Sequence, residues 1–110
     1  MPKDDYDRIV CVVLRELYRC KREGIRMDTG HLEPQALGIH EAYRNDIMEW
    51  LLEEGLAKGY KVKQYINGRS LQGLEAIDIT ADGIHYLKEN SRMQTVLQWL
   101  KTAKDITPGA

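Results

Sequence analysis

The 110-residue chain is 43% hydrophobic and 30% charged, which fits one soluble globular domain and excludes a disordered chain. Its formal net charge of −1 excludes a global basic field, so any attraction for nucleic acid must be local. No apolar run nears the roughly 18 residues of a membrane span, and MPKDDYDR has no signal-peptide core, so the cytoplasm is the expected compartment.

The first helix is expected over residues 5–23, where Tyr6, Ile9, Val10, Val13, Leu14, Leu17 and Tyr18 recur at steps of three and four. Asp4 or Asp5 suits its N-cap, and Gly24 suits its end. Arg8, Arg15, Arg19 and Arg22 fall within about 60° of one another on the opposite side. They read either as a phosphate-contacting ridge, with Arg15, Arg19 and Arg22 as its main members, or as a solvated helix back neutralised by Asp5, Asp7, Glu16 and Glu23. Cys11 and Cys20 lie about 180° and roughly 13 Å apart on this helix, too far for an internal disulfide.

GHLEPQALG, residues 30–38, predicts a short second helix with Pro34 in its first turn and Gly38 at its end. EAYRNDIMEWLLEEG then predicts a third helix over 41–54, stopped by Gly55. Short helix, glycine turn and longer helix is the helix-turn-helix order.

The period changes to two in GYKVKQYI, which predicts a strand with Lys61, Lys63 and Tyr65 on one face and Val62 and Ile66 toward the core. NGRSLQG, residues 67–73, reads as a loop, and LEAIDI, residues 74–79, as the return strand with Ile77 and Ile79 on one face. In ITADGIHYLKEN, Thr80 is the expected N-cap of a further helix, ended by Asn90 in the left-handed conformation. Gly83 stands in its first turn, where it costs about 1 kcal/mol against Ala. The expected compensation is close backbone approach. A last helix is expected over about 92–104, with Met93, Val96, Leu97, Leu100 and Ala103 on one side, followed by a frayed tail at 105–110.

These elements predict a single α+β domain of winged helix-turn-helix type: three helices, a two-stranded wing and additional C-terminal helices. Four stretches, WLLEEGLAKG (50–59), ITADGIHYLKENSRM (79–93), RIVCVVLRELY (8–18) and LGIHEAYRNDIMEWL (37–51), carry a family resemblance. The chain resembles the YjcQ-like family of small winged-helix proteins over most of its length, about residues 5 to 95. The Thr80, Gly83, Tyr86, Leu87, Asn90 pattern is the most specific piece. The resemblance implies the winged-helix fold and a setting in Gram-positive bacteria or their phages.

The residues predict no enzyme. GxSxG, HExxH, P-loop and CxxC patterns are lacking, and no cofactor is called for. His31, His40 and His85 form no metal-ligand spacing with the cysteines. Asp82 and His85, three apart, read as a helix-surface pair or a general acid–base couple.

Two binding functions remain. The first is a small dimeric, regulatory protein on double-stranded DNA, with Arg44 and Asn45 at base edges and Lys61, Lys63 and Arg69 of the wing on phosphates. The second is a protein-interaction or inhibitor module, presenting Glu41, Met48, Glu49 and Leu52 of the third helix to an unidentified protein. In either case Leu97, Trp99 and Leu100 offer contacts for a two-fold homodimer.

Overall fold

The computed structural model describes residues 5–106, and the side chains of residues 6–101. The caps expected of Asp4 or Asp5, and the packing expected of Ala103, therefore lie outside the described side chains.

Helix α1, Asp5–Glu23, is the longest helix among the described residues. Ile9, Val10, Val13, Leu14, Leu17 and Cys20 are all buried on its inner face, as the three- and four-residue spacing requires. Gly24 ends it at φ +69°, and the Ile25 N–H reaches back to the Cys20 carbonyl at 3.0 Å.

The expected helix over 30–38 is split in two. A 3-10 turn, Thr29–Leu32, precedes a single-turn helix α2, Pro34–Leu37. The break lies at Glu33, which is extended at φ −65° and ψ 145°. Pro34 sets this, because its ring disfavours helical backbone at the residue before it. Helix α3, Glu41–Glu53, follows, with the Ala42 N–H donating to His40 Nδ1 at 3.0 Å.

Four short strands form two antiparallel pairs among the described residues. Strand β1, Ala57–Lys58, pairs with β4, Asp78–Ile79. Strand β2, Lys61–Tyr65, pairs with β3, Gly68–Gln72. The hairpin thus closes on itself much sooner than the sequence reading expects. Tyr65 pairs with Gly68, so Ile66 and Asn67 alone make the turn, and NGRSLQG is mostly strand. Gly68 takes the positive φ, +140°, that this tight connection needs. The expected return strand is half 3-10 turn, Leu74–Ala76, and half β4. Ile77 and Ile79 are both buried, as expected. Ile66 is not: it is fully exposed.

Helix α4, Ala81–Glu89, begins at the expected cap. Thr80 Oγ1 accepts from the Gly83 N–H at 2.9 Å and donates to the Gly55 carbonyl at 2.6 Å. A Cβ on Gly83 would lie 2.1 Å from the Leu56 carbonyl oxygen and 2.7 Å from Ile79 Cγ1. The glycine therefore lets the start of α4 rest on the Leu56 backbone just before β1, and the same Leu56 carbonyl accepts from the Thr80 N–H at 3.1 Å.

Asn90 departs from its expected left-handed role. It is extended at φ −72°, and its side chain accepts from the N–H groups of Arg92 and Met93. It caps the next helix, α5, Ser91–Ile106. Asp105 and Ile106 belong to α5, and the rest of the expected tail lies outside the described residues.

With no Phe in the chain, the aromatic packing falls to Tyr6, Tyr43, Trp50 and Tyr86, whose rings meet edge-on or tilted at 5.7–6.0 Å. The five helices and two strand pairs among the described residues make an α+β fold.

Candidate nucleic-acid interface

Helix α3 and the β2–β3 hairpin lie against each other, and their shared face is fully bonded. Arg44 is 9% exposed and Asn45 4%, so neither stands where a base edge could meet it. Arg44 Nη1 donates to the Leu32 carbonyl at 3.0 Å, and its Nε donates to Asn45 Oδ1 at 2.9 Å. Asn45 Nδ2 in turn donates to the Arg69 carbonyl at 3.5 Å.

Arg69 points from β3 back onto α3. Its guanidinium donates to Glu49 Oε1 at 2.8 Å, Asp46 Oδ1 at 2.6 Å and the Ala42 carbonyl at 3.3 Å. Hydrogen bonds to Asp46 and Glu49 hold its pKa above the ordinary arginine value. Three of the five residues expected to contact DNA are thereby engaged inside the fold. The physical reason is placement: the helix turns Arg44 and Asn45 toward the 3-10 turn and the hairpin, where buried polar groups must find partners.

The outer face of the hairpin is the opposite case. The two-residue strand period puts Lys61, Lys63 and Tyr65 outward, across from Gln72, Ser70 and Gly68. Both lysines are exposed, and neither has an ion pair among the described residues. Lys63 Nζ lies 5.8 Å from the centre of the Tyr65 ring, and Gln72 Nε2 donates to the Tyr65 hydroxyl at 3.2 Å. No acidic residue shares this face. At the tip, Tyr65 is 51% and Ile66 103% exposed.

Sequence reasoning misses this exposed tip. The available signal was Asn67-Gly68 directly after an alternating run, which marks a tight hairpin turn. Read that way, the turn falls at residues 67 and 68, one residue beyond the observed turn at Ile66 and Asn67.

The remaining expected sites divide similarly. On the face expected for a protein partner, Glu41 is exposed, Glu49 is held by Arg69, Met48 is wholly buried and Leu52 is half-buried against the core. Helix α3 is rotated enough to take both apolar side chains inward. On α1, Arg15 is exposed, while Arg19 bonds to Glu16 and to Glu23. Arg22 lies over the Tyr18 ring at 5.0 Å. The arginine ridge is thus broken in its middle by its own acids. On α5, Leu97 and Leu100 pack partly on the core and Trp99 is half-buried.

His85 is exposed, with Nδ1 3.8 Å from Glu89 Oε2. Both cysteines are free and buried. Burial pushes the Cys11 thiol up to about 11, and the Cys20 thiol is raised by the same cause. Among the described residues, no three His, Cys, Asp or Glu side chains gather to hold a metal, and no helix is long and apolar enough to cross a membrane.

A sequence profile of the YjcQ protein family matches residues 12–106. The chain belongs to the YjcQ family. The YjcQ match starts within α1 and ends with the last described residue of α5, so it takes in the α3–hairpin unit whole. No curated protein and no solved structure matches the chain.

Proposed function

We propose that this YjcQ-family chain is a winged-helix protein that binds duplex DNA through its β2–β3 hairpin, in a regulatory and non-catalytic role. Helix, short helix, helix, hairpin, helix is the winged-helix order, with the hairpin as the wing. The observation that carries the reading is the outer face of that wing: Lys61 and Lys63 are exposed and have no ion pair among the described residues, with no acid on their face. Exposed lysines on a strand face suit phosphate contact, which positions a protein on DNA without reading sequence. With Arg44 and Asn45 buried, α3 does not serve as a base-reading helix in this arrangement. A non-catalytic role is supported by the Cys11 thiol, which burial keeps protonated near neutral pH, and by the exposed surface position of His85.

Fluorescence anisotropy with a labelled duplex, titrated at several salt concentrations, tests this. The parent protein should bind more weakly as salt rises, and Lys61→Ala or Lys63→Ala should each lower the log–log slope by about 0.9. Unchanged slopes in both variants, or no duplex binding at low salt, would overturn the reading.

The exposed acids of α3 favour a second reading, a protein partner of basic surface. Glu41 separates the two. It is exposed and lies 4.0 Å from Arg44 at its nearest ion-pair contact. Glu41→Gln should tighten DNA binding if a duplex lies alongside, and should weaken a protein complex otherwise.

A further inference from the structure

We propose that Ile66 is an apolar wedge that enters the base stack of duplex DNA from the minor groove, so that the protein kinks the DNA it binds. This rests on the DNA reading above and adds an activity to it.

Ile66 occupies one of the two turn positions of the hairpin, where its branched side chain supplies no hydrogen bond to the turn. It is 103% exposed, so it packs on nothing in its own chain. Its whole side chain is therefore available to a partner at the leading point of the hairpin.

The surroundings of Ile66 point to the duplex. Lys63 and Lys61 stand behind it along β2, roughly 10 and 17 Å from the tip at the strand rise per residue. Their face carries no acid, so a phosphate backbone on either side of the tip is attracted rather than repelled. Tyr65 is half-exposed beside Ile66, and its ring is steadied by Lys63 and by the hydrogen bond from Gln72.

The size of the tip selects the groove. The minor groove is about 6 Å wide. A two-residue tip led by one branched aliphatic side chain is narrow enough to reach into it. Apolar wedges of this type, Ile among them, act at the minor groove by partly unstacking a base step and bending the duplex away. Flexible pyrimidine–purine steps such as TA are the steps that open at least cost. A lipid surface suits the tip less well, because one isoleucine and half a tyrosine make a small apolar area for an interfacial anchor.

The test uses the full chain and a duplex carrying 2-aminopurine at a central TA step, with donor and acceptor dyes at its ends. Anisotropy first establishes saturation. The parent protein should then raise 2-aminopurine emission several-fold and shorten the end-to-end distance. Ile66→Ser should bind within about tenfold of the parent, a difference of about 1.4 kcal/mol, yet abolish both signals, while Ile66→Leu keeps them. The exposed position predicts unchanged melting for both variants. Saturation without an emission rise, or signals that survive Ile66→Ser, would overturn the wedge and leave the DNA reading standing. Failure of the parent to saturate the duplex at low salt would overturn both together.

Discussion

The two faces of one hairpin have opposite characters. On the inner face, Arg69 is bound to Glu49, Asp46 and the Ala42 carbonyl, and its own carbonyl accepts from Asn45. On the outer face, Lys61 and Lys63 carry the same sign of charge and have no ion pair among the described residues. Successive residues of a strand point to opposite sides, so cations a few positions apart are assigned to structure or to surface by parity alone. Residue type does not distinguish a cation that holds the hairpin in place from one that is left to hold something else.

The largest effect that would break this contrast comes from Arg44, which anchors the inner side. Arg44→Ala leaves the Leu32 carbonyl and Asn45 Oδ1 each short of a buried donor. At about 1–3 kcal/mol for each orphaned group, it should lose about 2–6 kcal/mol of stability. The double variant Lys61→Ala/Lys63→Ala should stay within about 0.5 kcal/mol of the parent. Urea unfolding measures both. Equal losses would dissolve the distinction between the faces.

Gly83 tests how the hairpin is rooted. The hairpin follows β1, and the start of α4 rests on the Leu56 backbone just before β1. Gly83→Ala would bring a methyl group to 2.1 Å from the Leu56 carbonyl oxygen. The variant should lose about 1–3 kcal/mol through overpacking, despite a gain of up to about 1 kcal/mol in helix propensity. A melting temperature above that of the parent would show that the root is loose and the glycine incidental.

The smallest expected effect sharpens the contrast most directly. Arg69→Met keeps an apolar stem but removes the charged bonds to α3. Partly exposed pairs of this kind contribute about 1–2 kcal/mol. The loss should appear locally, as faster amide hydrogen exchange in β2 and β3 with α1 unchanged. A uniform rise over the whole molecule would mean that the hairpin is not a separable unit.

Much of the fold was legible in the residues because it rests on period and punctuation. The limits of α1 follow from its apolar spacing and Gly24. The close approach at Gly83 followed from one glycine in a helix's first turn after a good cap. The hairpin was less legible. Two glycines around NGRSLQG suggest a loop, and only the pairing of Tyr65 with Gly68 shows that most of it is strand. The candidate site was legible in composition and not in geometry. Lys61 and Lys63 are outward as the alternation requires. Arg44, Asn45 and Arg69 were placed wrongly because their burial depends on α3, the 3-10 turn and β3 meeting in space.

By itself, then, the sequence determined the helix faces, the caps at Thr80 and Gly24, the outward lysines and the family to which the chain belongs, since each depends on residues near one another or on the pattern as a whole. Tertiary structure decided which charges are left for a partner. A guanidinium finds its carboxylates across 20 and 23 residues of chain. An isoleucine that alternation assigns to the core is carried into solvent by a turn two residues long. Both outcomes depend on the register in which distant segments pack, and local spacing carries no information about that register.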